Sequence, residues 1–192
     1  MMIESLFDKQ STGLVVIDLQ KGIVGMTTEP YPAKSVVANA AQLARAFRKN
    51  NMPVFLVRVT PSPDGKDGLR PHADTPPPNI QRDPDWADIV PELGPEPGDF
   101  VITKRQWGAF YGTELDLQLR RRRIDTIVLC GISTNIGVES TARFAYEYGY
   151  QQIFAEDASA ARSREEHAHA MKTTFARLGR VRKTSDILAT LG

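Results

Sequence analysis

Two ionisable residues stand where a polar side chain is costly. Asp18 directly follows the apolar run Gly13-Leu-Val-Val-Ile17, and Lys104 closes the run Phe100-Val-Ile-Thr-Lys104. A carboxylate placed after four apolar residues is unfavourable unless it is paired or solvated in a cleft. A lysine ammonium is a suitable partner charge. Alone, each residue reads equally well as a cap or a salt-bridging group; together they are a candidate acid–base pair. Two more features fall at strand ends. One is the turn Gly131-Ile-Ser-Thr-Asn-Ile-Gly137, which brings backbone N–H groups and the positive end of a helix toward the same region. The other is Asp157. Gly137 falls in the first turn of that helix, where glycine costs about 1 kcal/mol relative to alanine. Either the helix packs closely on the sheet there, or a ligand or water takes the space of the absent side chain.

These residues need a scaffold that brings strand ends together. Short β-branched runs alternate with helical periods, which predicts a parallel sheet covered on both faces. The expected strands are 13–18, 54–59, 100–104, 126–130 and 152–156, with a short one near Val181. A helix is expected over 33–50, its stripe Val36, Ala40, Leu43, Ala44 and Phe47 facing the core. Thr113 and Asp116 match a capping box for a helix reaching Arg123. Further helices are expected over 135–148, ending at Gly149, over 165–178 and near Asp186. Ten of the thirteen prolines lie between Pro61 and Pro97, so residues 61–98 cannot form a long regular element. They read as a proline-rich loop or lid inserted in one domain spanning 1–192, with one helical turn over 85–90. In such sheets ligands sit beyond the carboxyl ends of the strands, where Asp18 and Lys104 lie.

Composition sets outer limits. With 41% apolar and 24% charged residues, the chain is ordinary for a globular α/β protein. Its net charge of +1 does not suggest a general polyanion binder, and no apolar run has the length of a membrane span. Neither nucleic acid nor membrane is an expected partner. Cys130 is the only cysteine, so no internal disulfide is possible, and the amino terminus lacks the apolar core of a signal peptide. A cytoplasmic location is the expectation. Arg120 to Arg123 complement a helix carboxyl end, and His167 and His169 read as surface residues.

Three segments, in order and spacing, resemble the isochorismatase-like hydrolases, also called the cysteine hydrolase superfamily. They are Leu14-Val-Val-Ile-Asp18-Leu-Gln20, then Ile102-Thr-Lys104-Arg-Gln-Trp107-Gly-Ala-Phe110-Tyr-Gly-Thr113-Glu-Leu115, then Gly131-Ile-Ser-Thr-Asn-Ile-Gly137-Val-Glu-Ser-Thr141-Ala142. Gly149-Tyr150 and Glu156-Asp157-Ala158 follow. The resemblance implies a three-layer α/β/α sandwich with a six-stranded, mostly parallel sheet. It also implies that Asp18 and Lys104 match the family's catalytic pair. The third catalytic position, a cysteine in most members, is Gly137 here, as it is in isochorismatases. A thiolate mechanism is therefore closed to this chain. Cys130 lies within a strand and cannot replace it. The resemblance instead implies that Asp18 acts as a general acid, protonating the enol carbon of a vinyl ether before water captures the oxocarbenium ion. It also suggests a cis peptide at Ile132–Ser133.

Gln20, Trp107, Ser133, Asn135, Arg58 and Arg70 are the expected substrate-binding residues, with Lys66 and Arg82 as alternatives to the two arginines. The metal-binding nicotinamidases carry an Asp-x-His-x-x-His stretch after the second strand. Here it reads Arg58-Val-Thr-Pro-Ser-Pro63, so no metal or other cofactor is expected. A small-molecule substrate and a dimer or tetramer are expected. Three readings compete: a hydrolase using Asp18 without covalent catalysis, an inactive relative kept as a binding module or scaffold, and an amidase with a hydroxyl nucleophile such as Ser133.

Overall fold

The computed structural model describes residues 6–75 and 82–192. Six strands form one sheet in the order β3-β2-β1-β4-β5-β6. They are β1 (Thr12–Ile17), β2 (Val54–Val59), β3 (Phe100–Lys104), β4 (Thr126–Ile132), β5 (Gln151–Ala160) and β6 (Arg180–Arg182). All five pairings are parallel. Helix α1 (Lys21–Val24) is a single turn, and α2 (Ala33–Lys49) is the long helix. The others are α3 (Leu115–Arg121), α4 (Glu139–Glu147), α5 (Arg164–His169), α6 (Ala176–Leu178) and α7 (Thr184–Leu191).

Strand β1 explains the layering. It is buried along its whole length. Leu14 and Val16 pack into a cluster with α2 and α7, while Val15 and Ile17 pack into another with α3, α4 and Phe175. Successive side chains of a strand point to opposite faces, so a strand covered on both sides must be apolar throughout. At Gly131 the neighbouring strand comes so close that an added Cβ would lie 2.1 Å from the Ile17 carbonyl oxygen, and its φ is +129°. Only glycine fits there, and this close approach sets the end of β4 beside the end of β1.

Several expectations change. Part of the stretch 61–98, expected as a loop or lid, packs into the fold. Among its described residues, Trp86, Ile89, Val90 and Leu93 are buried. The Gly22 and Lys21 amides donate to the Trp86 and Asp88 carbonyls. Residues 84–87 form a turn, not a helix, and Ile89 bridges Gln20 instead. Arg48 holds the end of this stretch, pairing with Asp99 at 2.6 Å and Glu96 at 2.8 Å. Residues 76–81 lie outside the described residues.

The Thr113–Asp116 capping box does not form. Thr113 Oγ1 accepts from the Leu115 amide at 3.2 Å, while Asp116 binds Arg120 and the Tyr150 hydroxyl, and α3 ends at Arg121. A capping box does form at Ser163 and Glu166, which open α5. Strand β5 runs four residues past the expected end, pairing again with Gly131 and Ile132 of β4, and Asp157 Oδ1 accepts from both the Thr184 amide and hydroxyl at 2.7 Å. Asp157 thereby anchors the start of α7 and is not a site group.

Candidate active site

Asp18 is the first residue beyond β1 and has φ +54°, with its amide donating to the Val57 carbonyl at 2.9 Å. Lys104 ends β3, and β2 lies between the two strands. Two strand spacings are about 10 Å, a span that needs a side chain as long as lysine. Lys104 Nζ donates to Asp18 Oδ2 at 2.8 Å and to the Trp107 carbonyl at 2.5 Å. Lys104 is only 1% exposed and Asp18 only 5%. Asp18 Oδ1 is buried without a hydrogen-bond partner among the described residues.

Burial disfavours the charged carboxylate and pushes the Asp18 pKa up to about 6, although the Lys104 charge and hydrogen bond pull the other way. A carboxyl group that keeps its proton toward neutral pH can serve as an acid. It can also serve as a base once ionised.

The third wall is the turn after β4. Residues Thr134–Val138 form one π-helical turn before α4, because the Val138 amide reaches back to the Ser133 carbonyl. The helix thus starts one residue earlier than expected, and the Ile136 and Val138 N–H groups are both used on Ser133. The peptide Ile132–Ser133 is cis, as expected. Gly137 lies directly against the pair. A Cβ added there would lie 3.0 Å from Ile17 Cγ2, 3.1 Å from Asp18 Oδ2 and 3.3 Å from Lys104 Nζ. Thr141, which sequence reasoning did not single out, ties two walls together. Its hydroxyl donates to the Gly137 carbonyl at 2.7 Å and accepts from the Ala109 amide at 3.1 Å.

The other expected residues divide. Ser133 donates to Asn135 Oδ1 at 2.9 Å, at the start of the turn. Trp107 gives its carbonyl to Lys104, while the residue as a whole is 66% exposed. Gln20 is fully buried. Its amide pairs with both backbone groups of Val59 and donates to the Trp86 carbonyl, so it holds the rim of the site. Arg70 and Trp107 line a cleft of about 250 Å³ over the ends of β2 and β3, together with Arg82 and Arg105. Arg105 was not anticipated. It pairs with Asp67 at 2.7 Å and donates to the Thr60 carbonyl.

Arg58 is not brought to the pair. Val57 packs on the same side of the sheet as Ile102, so Arg58 points to the opposite face. There it donates to Thr103 Oγ1 and lines a groove with Lys21 and Asp88. A larger hollow of about 680 Å³ lies at the amino ends of β2 and β3, away from the pair. Among the described residues, no cluster of three or more His, Cys, Asp or Glu could hold a metal ion.

A family model described as the isochorismatase domain matches residues 12–186. The chain belongs to the isochorismatase family. It is 52% identical over 183 residues to the isochorismatase family protein YwoC of Bacillus subtilis (strain 168), covering 94% of each. A solved isochorismatase family protein from Burkholderia thailandensis is 46% identical, with a TM-score of 0.93 over 96% of this chain and 97% of that one. Enterobactin synthase component B of Escherichia coli (strain K12) is 27% identical over 187 residues, or 97% of this chain and 65% of that protein. The α/β fold thus rests on these relatives as well as on geometry, and the hydrolase character on family membership alone. Among the described residues, no helix is long and apolar enough to cross a membrane.

The buried acid of this isochorismatase-family site has a stability consequence. Its folded pKa lies above the ordinary 3.8, so the folded state holds the proton longer than the unfolded state does. The contribution of Asp18 to stability is therefore greatest at low pH and falls as pH rises from about 4 to about 6. The expected loss is on the order of 3 kcal/mol. Urea unfolding at pH 4.5 and 7.5 should show about two thirds of this loss in the wild type and none of it in Asp18→Asn. Equal pH dependence in the two proteins would contradict the assignment.

Proposed function

We propose that this isochorismatase-family hydrolase uses Asp18 as a general acid and base on a small anionic metabolite, with an isochorismate-like vinyl ether as the model substrate, and without a covalent cysteine intermediate. The observation that carries the reading is the Asp18 carboxyl itself: buried, raised to about 6, and with Oδ1 unpartnered among the described residues beside Gly137. No thiol is available. Cys130 is fully buried in β4, and burial pushes its pKa up to about 12, with a smaller contribution from Asp157. The chain therefore fits the subgroup in which glycine replaces the cysteine.

The chemistry is balanced without an added group. Asp18 gives its proton to the terminal enol carbon, forming an oxocarbenium ion and a carboxylate. Water adds to the cationic carbon and returns a proton to Asp18. The hemiketal then collapses to a ketone and an alcohol. About a tenth of the carboxyl population is protonated at pH 7 when its pKa is about 6. Lys104 orients the carboxyl through Oδ2. Arg70 and Arg82 supply positive charge around the adjoining cleft, where Arg105 is already paired with Asp67, and this supports an anionic substrate. The exposed Trp107 and Tyr111 beside it support a dimer or tetramer, which sedimentation would read, in a cytoplasmic protein.

A second reading has one observation in its favour. Gly137 carries no side chain beside Asp18 and Lys104, so the site lacks a nucleophile, as in a pocket kept for binding alone. A panel of enol ethers, amides and control carboxylates, followed by product analysis and intact-protein mass spectrometry, separates the cases. Turnover of an enol ether with no protein adduct supports Asp18 acid catalysis. An acyl adduct that disappears in Ser133→Ala would establish a hydroxyl nucleophile instead. Tight binding without turnover would establish the binding module.

A further inference from the structure

His167 is not the surface residue its sequence position suggests. It is 3% exposed, on α5, and faces groups from four other elements. Its Nδ1 lies 2.9 Å from Thr134 Oγ1 in the π turn. Its Nε2 makes no hydrogen bond among the described residues and lies 3.8 Å from Glu156 Oε1 on β5. The Tyr31 ring stands edge-on at 5.8 Å, and the Tyr31 hydroxyl donates to Glu156 at 2.8 Å. Lys183, just before α7, pairs with Glu156 and donates to the Tyr31 hydroxyl.

The protonation state follows from these neighbours. Burial holds the imidazole below its ordinary pKa, against the opposing pull of Glu156, so the ring is neutral at pH 7. A neutral imidazole has one N–H and one acceptor. The Glu156 carboxylate favours the proton on Nε2, which leaves Nδ1 to accept from the Thr134 hydroxyl. Thr134 is itself fully buried and is the first residue of the turn that carries Asn135 and Gly137.

We propose that His167 is a positioning residue for the Asp18 site: by accepting the Thr134 hydroxyl, it holds the turn that sets Gly137 beside Asp18 Oδ2 and Lys104. His167 touches neither charge of the pair in this arrangement. It acts through the backbone of Thr134–Gly137, which places Gly137 so that even an added Cβ would lie within 3.3 Å of both charges. The inference concerns the same site as the proposed hydrolase reading, but its test needs no turnover, so the two can fail separately.

The readout is the titration midpoint of the Asp18 side chain, followed by carbon-13 NMR with aspartate labelled at the carboxyl and assigned through Asp18→Asn. If the turn loosens, water reaches Asp18 and relieves the desolvation that raises its midpoint. Thr134→Val and His167→Leu should each lower the midpoint by about one pH unit or more. The double variant should lower it no further than either alone, because the two residues share one interaction. Thr134→Ser keeps the hydroxyl and should keep the wild-type midpoint. A folded Thr134→Val protein with an unchanged Asp18 midpoint would overturn the proposal. Should that variant not fold, nitrogen-15 NMR of wild-type His167 decides: a proton on Nε2 supports the proposal, and a proton on Nδ1 overturns it.

Discussion

Asp18→Asn should abolish turnover of any enol ether the wild-type protein hydrolyses, lowering kcat/KM by about 100-fold to 10,000-fold, the usual worth of a positioned general acid. Asparagine preserves the size of the side chain and can still accept the Lys104 hydrogen bond. It cannot hand a proton to carbon. Binding of unreacted substrate should change much less, because the positive groups of the adjoining cleft come from Arg70 and Arg82. A fall in kcat with nearly unchanged KM therefore reports loss of the acid. A variant that retained wild-type kcat would remove Asp18 from the chemistry.

Lys104→Met should have the second large effect, and a pH-dependent one. Methionine fills much of the lysine stem's volume but leaves two buried groups unmatched: Asp18 Oδ2 and the Trp107 carbonyl. Removing one member of a buried pair typically costs about 3–5 kcal/mol. Asp18 has a way to escape part of that cost. Without the ammonium, both influences that lower its pKa are lost, so the carboxyl rises above about 6 and keeps its proton at mildly acid pH. The sign is then fixed: a folded-state pKa raised further costs stability progressively as pH rises toward that value. Chemical unfolding should show a smaller loss at pH 5 than at pH 8. Equal losses would mean that Asp18 does not respond to Lys104. The Trp107 carbonyl also loses its donor, so that loop should become less well fixed.

Local signals carried much of the fold. Strands β2 and β3 match the expected residues, and α2 matches within one, because apolar runs, the 3.6-residue stripe and flanking proline act over short distances. The Asp18–Lys104 pair was legible for a different reason: both charges break apolar runs at strand ends, where a parallel sheet collects ligand groups. Long-range partners explain most of what was missed. Strand β5 continues through Glu156 and Asp157 because it pairs again with Gly131 and Ile132 of β4, and nothing near residue 157 in sequence announces that pairing.

His167 was misread because its spacing from His169 says nothing about Tyr31 and Thr134, which enclose it from distant elements. Arg58 is a different case. Strand alternation places it opposite Val57, and the same alternation puts Lys104 on the face of Ile102. The role of Gly137 was only half legible. Its identity excluded a nucleophile, but its contact with both charges required the fold.

The most direct measurement of the central claim is the hydrolysis of isochorismate, or of whichever enol ether the panel shows is turned over fastest, in D2O. The ketone product is trapped at once and its methyl group analysed by NMR, with the protein followed by intact mass. If Asp18 delivers a solvent-exchanged proton to the enol carbon, the methyl group gains one deuterium, the protein mass stays unchanged during turnover, and the event is lost in Asp18→Asn. Product formed without carbon-bound deuterium, or a covalent adduct on the chain during turnover, would contradict it.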